Sequence, residues 1–218
     1  MDDSDGMILF CVRHGESTYN AEQRIQGQSE APLSPLGRLQ SEAVASVLAR
    51  MPVDAVYSSP LLRAMETAQP IARVLGLEVR TDDRLKEIHA GIFQGHLWKD
   101  IQRLHPAEAA SWFAQEADFV IPSGESRRQL MSRGQEVIQT IAAAGHGLAV
   151  VVSHGGLLAA AMKALLEIPA ERSPFTLFNG SISRLARKNQ WKLLTLNETW
   201  HLAQVDGRGT QAAGDLYL

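Results

Sequence analysis

Arg13-His14-Gly15-Glu16 follows directly on the apolar run Met7-Ile8-Leu9-Phe10-Cys11-Val12, and Ser153-His154-Gly155-Gly156 follows in the same way on Leu148-Ala149-Val150-Val151-Val152. Each reads as a short buried strand that ends in a histidine and a glycine. Ligands of open α/β sheets bind at the carboxyl ends of the strands, so two such histidines can meet there. Arg13 stands beside the first, and Arg63 falls near the start of a helix. Two guanidiniums in one pocket offer planar forks to an anion with several oxygens, of which phosphate is the usual example. A neutral imidazole among those cations can attack phosphorus. Its ordinary pKa of about 6.5 makes it available at neutral pH without a metal, and the neighbouring positive charge favours the neutral form. The leaving alkoxide needs a proton, and Glu87 is the candidate donor, able afterwards to activate water against the phosphohistidine. Asp82 and Asp83 compete with it for that role. Taken singly, His96, His105, His146 and His201 read as structural or exposed side chains.

The elements that must position these groups follow from pattern. Ser34-Pro35 caps and opens a helix with Leu39, Ala43, Val44, Val47 and Leu48 as apolar positions, ending near Met51-Pro52. Asp54 to Tyr57 is a short strand. Ser58-Ser59-Pro60 starts a second helix carrying Arg63, Thr67, Ile71 and Val74 up to Gly76, and Pro70 is expected to kink it or end it early. Leu77 to Arg80 reads as a strand. Residues 97–119 are helical in pattern and carry no strand; they are expected to lie over the carboxyl edge of the sheet, with Trp98, Trp112 and Phe113 as apolar contacts. Gly124-Glu125-Ser126 opens a helix through about Ala143, and another runs from Gly155 to Leu166. Ile182 to Ala186 and Trp191 to Leu196 flank a hairpin at Lys188-Asn189-Gln190. Alternating strands and helices define an α/β class with helices on both faces of a mostly parallel sheet. Residues 1–205 are expected to form one domain, with 88–125 as a lid over the site and 206–218 as a flexible tail.

Composition narrows the function. A chain of 218 residues with a formal charge of -3 and no long Lys/Arg run does not suit nucleic-acid binding, which needs a basic stripe. One cysteine, Cys11, excludes an intrachain disulfide. The acidic N-terminus lacks the pattern of a signal peptide, and no apolar run approaches the ~20 residues of a membrane span. A soluble, cytoplasmic protein is expected.

The chain resembles the histidine phosphatase superfamily, which includes cofactor-dependent phosphoglycerate mutase, from about Met7 to His201. The likeness is carried by Arg13-His14-Gly15-Glu16-Ser17-Thr18-Tyr19-Asn20, Gln26-Gly27, Leu33-Ser34-Pro35-Leu36-Gly37, Tyr57-Ser58-Ser59-Pro60-Leu61 with Arg63 and Thr67, Lys86-Glu87-Ile88, Gly124-Glu125-Ser126 and Val152-Ser153-His154-Gly155. The resemblance implies a three-layer α/β/α sandwich with a central, mostly parallel sheet. It implies that His14 becomes phosphorylated, that Arg13, Arg63 and His154, with Asn20 and Gly155, hold the phosphoryl group, and that Glu87 is general acid and base. No metal or other cofactor is implied.

Between Ile88 and Ser126 stand only Lys99 and Arg103 as Lys/Arg, against Asp100, Glu108, Glu116 and Asp118. That balance favours a wetter, less anion-committed site and hence hydrolysis over a mutase. The expected activity is a metal-independent phosphomonoesterase acting on a small phosphorylated metabolite. Arg24, Gln26, Gly27, His89, Arg127 and Arg128 are candidates to contact the rest of the substrate. A primed phosphoglycerate mutase is the alternative. A catalytically inactive binding protein ranks below both, because no pocket residue is lost. Whether the protein is a monomer or a homodimer is left open by the sequence.

Overall fold

The computed structural model describes residues 6–206; of the tail expected over 206–218, Asp206 ends a short helix and 207–218 lie outside the described residues. Strand β1 (Met7–Arg13) leads through a short helix α1 (Thr18–Ala21) to α2 (Pro35–Leu48). β2 (Ala55–Ser58) leads to α3 (Leu62–Leu75) and then to β3 (Val79–Thr81). Short 3-10 turns and two helices, α4 (Ile101–Leu104) and α5 (Pro106–Phe113), precede α6 (Arg127–Ala142). β4 (Leu148–Ser153) runs into α7 (Gly155–Leu165). A hairpin of β5 (Ile182–Arg187) and β6 (Trp191–Glu198) is followed by α8 (Ala203–Asp206).

The six strands form one sheet in the order β3-β2-β4-β1-β5-β6. β3, β2, β4 and β1 pair in parallel, while β5 and β6 are antiparallel additions at one edge. Alternation along β1 shows why there are three layers, since successive side chains of a strand point to opposite faces. Phe10 and Val12 pack with Val44, Leu48, Ala68 and Ile71 of α2 and α3. Leu9 and Cys11 pack with Val137, Ile138, Leu158 and Met162 of α6 and α7. β4 is buried on both sides, so its run Ala149-Val150-Val151-Val152 is apolar throughout, as a central parallel strand must be. The α/β sandwich and mostly parallel sheet expected from the sequence are therefore present.

Boundaries differ from the sequence reading in instructive ways. Pro70 neither ends nor divides α3, which continues to Leu75 and stops at Gly76 in the left-handed conformation. Proline removes one helical hydrogen bond, but Ala64, Ala68, Ile71 and Ala72 are buried in one cluster on either side of it, and that burial holds the helix together. α2 ends at Leu48 rather than near Met51, and α3 begins at Leu62, leaving Ser58 as the last residue of β2 and Ser59, Pro60 and Leu61 in the turn that follows. The segment after Glu87 holds only short helices and no strand, as expected. Phe93, Ile101, Trp112 and Ile121 anchor it in the cluster beneath α6 and α7.

The turn after β1 is clamped by α2. Ser34 caps α2 by accepting from the Gly37 N–H at 3.0 Å, and a Cβ placed on Gly37 would come within 2.0 Å of the Glu16 carbonyl oxygen. Backbone cannot yield as a side-chain end can, so Gly37→Ala is expected to cost about 1–3 kcal/mol of stability and to disturb the loop that carries His14. Urea unfolding checks this; a variant as stable as wild type would show that the loop is not clamped.

Candidate active site

The parallel register of β1 against β4 places Arg13 opposite Ser153, so the next residue on each strand is a histidine. The His14 and His154 rings lie edge to face with centroids 5.1 Å apart, and both are buried. His14 Nδ1 lies 2.7 Å from the Gly15 carbonyl oxygen. A carbonyl can only accept, so the proton sits on Nδ1 and the lone pair on Nε2. Arg63 Nε donates to that Nε2 at 3.3 Å. Arg63 arrives from the first turn of α3 and is fully buried; its Nη1 and Nη2 donate to the carbonyls of Ser29 and Gly27, each at 2.8 Å. Gly15 N–H donates to Thr67 Oγ1, which ties the histidine loop to the same helix.

His154 Nε2 lies 2.8 Å from Ser59 Oγ, in the turn after β2. Its Nδ1 is buried and has no hydrogen-bond partner among the described residues. The Ser59 hydroxyl can donate to Nε2, which leaves Nδ1–H as a donor. Arg13 completes the pair of guanidiniums, its Nη1 donating to the Leu177 carbonyl at 2.5 Å.

Glu87 closes the opposite side. Oε2 accepts from Gly156 N–H at 2.9 Å, and Oε1 accepts from Leu157 N–H at 3.0 Å and from Ile88 N–H at 2.8 Å. The carboxylate thus caps the N-terminus of α7, where negative charge is favoured. Its backbone is fixed in turn by Arg133 of α6, which donates to the carbonyls of Arg84, Lys86 and Glu87 and pairs with Glu125.

Arg13, His14, Arg63 and Glu87, with Asn20, Arg24, Gln26 and Gly27, line a cavity of about 40 Å³ walled by Ile88, Phe93, Trp98 and Trp112, while His154, wholly buried against His14, is not among its lining residues. Through Arg13, Ile88 and Trp112 it adjoins a second cavity of about 280 Å³ that includes Gly155, Gly156, Arg127 and Lys163. Two candidates are not brought in. Arg128 pairs with Asp118 on the surface, and His89 is exposed, with its N–H held by Glu125; neither lines these two cavities. The neighbours Arg127 and Arg128 diverge because successive residues of a helix point about 100° apart. Asp82 is engaged by Arg84 and Asp83 by Lys86, and neither reaches the site. The scarcity of cations in the insertion does not make the site poor in positive charge, because α6 and α7 supply Arg127 and Lys163 instead. Sequence reasoning missed Lys163, Arg133 and Asn179, whose Nδ2 donates to the His14 carbonyl and to Asn20 Oδ1.

Electrostatics follow from burial and crowding. Both His14 and His154 titrate well below the ordinary histidine value, first because they are buried and then because Arg63 and Arg13 lie beside them. Arg63 is pulled down to about 10, chiefly by burial, with Glu87 opposing.

A strand-borne histidine pair between two arginines on an α/β sandwich defines a phosphoryl-binding class of site. Residues 9–199 match the family described as the histidine phosphatase superfamily (branch 1), and the chain belongs to that superfamily. It is 37% identical over 93% of its length to a metal-independent phosphoserine phosphatase of Arabidopsis thaliana, of which 86% is covered. It is 34% identical over 98% of its length to a phosphoglycerate mutase-like protein of the same plant, of which 95% is covered. The solved structure of a mycobacterial glucosyl-3-phosphoglycerate phosphatase superposes with a TM-score of 0.79 at 33% identity, over 88% of this chain and 99% of that one.

The depressed histidines give a pH signature. Below about pH 6.5 the unfolded chain binds protons that folded His14 and His154 refuse, so stability falls as pH falls, by up to about 1.4 kcal/mol per pH unit for each histidine. Above that pH both states are neutral and this contribution is flat. Urea unfolding between pH 7 and pH 5 should show this slope, reduced by one histidine's share in His14→Asn; identical slopes in the two proteins would refute it.

Proposed function

We propose that this protein is a phosphomonoesterase that hydrolyses a small phosphorylated metabolite, without a metal, through a phosphohistidine. The observation that carries the reading is the fixed tautomer of His14: Nδ1 is committed to Gly15, so Nε2 presents its lone pair beside Arg63. The inner cavity, about 40 Å³, suits a phosphoryl group. Arg13 and Arg63 supply the positive charge that a phosphoryl-transfer site requires, and His154 Nδ1 supplies a further donor. Nε2 attacks phosphorus, the P–O bond to the alcohol breaks, and Glu87 gives that oxygen its proton. In the second step Glu87 takes a proton from water, the water oxygen bonds to phosphorus, the P–N bond breaks, and His14 returns to its neutral form.

Asn20, Gly155, Gln26 and Gly27 are assigned to the walls of the phosphoryl and leaving-group sites, and Arg24 to the outer rim. Residues 88–125 act as the lid of a single domain spanning 1–205: Ile88, Phe93, Trp98, Trp112 and Ile121 wall the inner cavity and cover the reacting groups. Among the described residues no helix is long and apolar enough to cross a membrane. Cys11 is buried, with its thiol pushed up to about 12 by burial, and the cytoplasm is the proposed location.

Mutase chemistry is the second reading, favoured by the two cations of the outer cavity, Arg127 and Lys163, which suit a substrate that must be held while it is turned. Phosphate release from an aryl phosphate, phosphoserine and 3-phosphoglycerate, in EDTA and with or without 2,3-bisphosphoglycerate, separates the two. The expected result is release that needs neither metal nor primer and falls at least about 1,000-fold in His14→Ala. Isomerisation of 3-phosphoglycerate without release, and only after priming, would make the protein a mutase. Wild-type turnover in His14→Ala would remove the phosphohistidine.

A further inference from the structure

The outer cavity has a lining that its neighbours do not explain. Arg127, the first residue of α6, is 6% exposed. Its guanidinium carbon lies 3.5 Å from the centroid of the Trp112 ring, so one face is covered by stacking. Both terminal nitrogens, Nη1 and Nη2, are buried and have no hydrogen-bond partner among the described residues. Lys163 of α7, also 6% exposed, donates to the carbonyls of Ala170 and Arg172 and lines the same cavity. Arg13 forms the side shared with the phosphoryl pocket. The remaining polar lining is Gln115, Ser173 and Thr176, and among the described residues no Asp or Glu lines the cavity.

Among the described residues Arg127 and Lys163 face a cavity of about 280 Å³ with no carboxylate in its lining, and the Arg127 fork has no hydrogen-bond partner. A buried charge lacking its partner destabilises a fold by several kcal/mol in general, and a planar fork stacked on an indole is preorganised for two parallel hydrogen bonds to an oxyanion. Building on the phosphatase reading above, we propose that this cavity binds a second oxyanion on the substrate, a carboxylate or a second phosphate, with Arg127 as the fork and Lys163 as the supporting charge. The substrate is then a phosphomonoester whose alcohol carries a negative group of its own, and uncharged sugar or alcohol phosphates are poor substrates. Arg127 sets specificity and takes no part in bond breaking.

The test compares substrates that differ only in the second group. 3-Phosphoglycerate is set against glycerol 3-phosphate, which lacks the carboxylate, and 1,3-propanediol bisphosphate against its monophosphate. In wild type, kcat/KM for the member that carries the second anionic group is expected, in at least one pair, to exceed that of its partner by roughly 10- to 100-fold, the range of charge-assisted hydrogen bonds; the pair that responds identifies carboxylate or phosphate. Arg127→Gln should abolish most of that ratio, and Arg127→Lys should restore part of it. Because the substitution removes an unpaired buried charge, the melting temperature of Arg127→Gln should be no lower than wild type, so loss of selectivity cannot be ascribed to unfolding.

The same pairs are titrated against His14→Ala to obtain dissociation constants that do not depend on turnover. Ratios that are equal in wild type and Arg127→Gln, in kinetics and in binding alike, would overturn the proposal while leaving the phosphatase intact. Absence of phosphate release from every ester, with selective binding retained, would overturn the phosphatase reading and leave the oxyanion site standing.

Discussion

The pairing of β1 with β4 is the constraint on which the site depends. Arg13 opposite Ser153 in a parallel ladder puts two histidines side by side at one level of the sheet. A slip of one residue would turn every side chain of a strand to the other face, exchanging Phe10 and Val12 for Leu9 and Cys11 between two helical layers that are each filled by one set. The register of the chemistry is thus enforced by the packing of residues that take no part in it. β2, the next strand outward, ends at the same edge and delivers Ser59 to His154 and, one turn into α3, Arg63 to His14.

Charge is organised around that edge with little redundancy. Arg63 is wholly buried and is sustained by carbonyls of the 27–29 loop rather than by an ion pair. Glu87 is the one acid among the residues lining the phosphoryl cavity. It occupies the N-terminus of α7, a position that in many proteins binds the phosphate itself. Here the helix end holds the Glu87 carboxylate instead, and in the proposed mechanism phosphate recognition falls to guanidinium and imidazole. Gly156 makes that possible: a Cβ there would meet Glu87 Oε1 at 2.5 Å, so the carboxylate can reach the α7 backbone only across a glycine.

Much of the inner site was legible because its signals are local. A buried strand that runs into His-Gly, twice, states both the residue and its place at the carboxyl edge, and the order of the flanking motifs supplied Arg63 and Glu87. The supporting groups carry no such signal. Asn179 and Leu177 lie in an irregular stretch between α7 and β5, and their contacts to His14 and Arg13 span more than 160 positions. Lys163 sits in an apolar helix, where a lone lysine reads as a solvent-facing break. Its ammonium instead bends back to the carbonyls that follow the helix. Arg127 and Arg128 are equivalent in sequence, and only the rotation of α6 decides which one stacks on Trp112 and which one meets Asp118 at the surface. Pro70, expected to kink α3 or end it early, does not end it: the helix face buried on either side of it carries the helix on to Leu75.

The division of the cleft into a small inner cavity and a larger outer one has a consequence for catalysis. Interactions with parts of a substrate that do not react can be used to hold the reacting part in position. Under the proposed function the inner cavity, about 40 Å³, takes the phosphoryl group, which all phosphomonoesters share and by which they cannot be told apart. Choice has to come from the outer cavity, and Arg13 belongs to both. Since Arg13 lines both cavities, a substrate bound as proposed would have its second group recognised and its phosphoryl group aligned for His14 next to a common side chain. Selectivity in such an enzyme appears in kcat as well as in KM, because the group that distinguishes one ester from another also helps to place the bond that breaks.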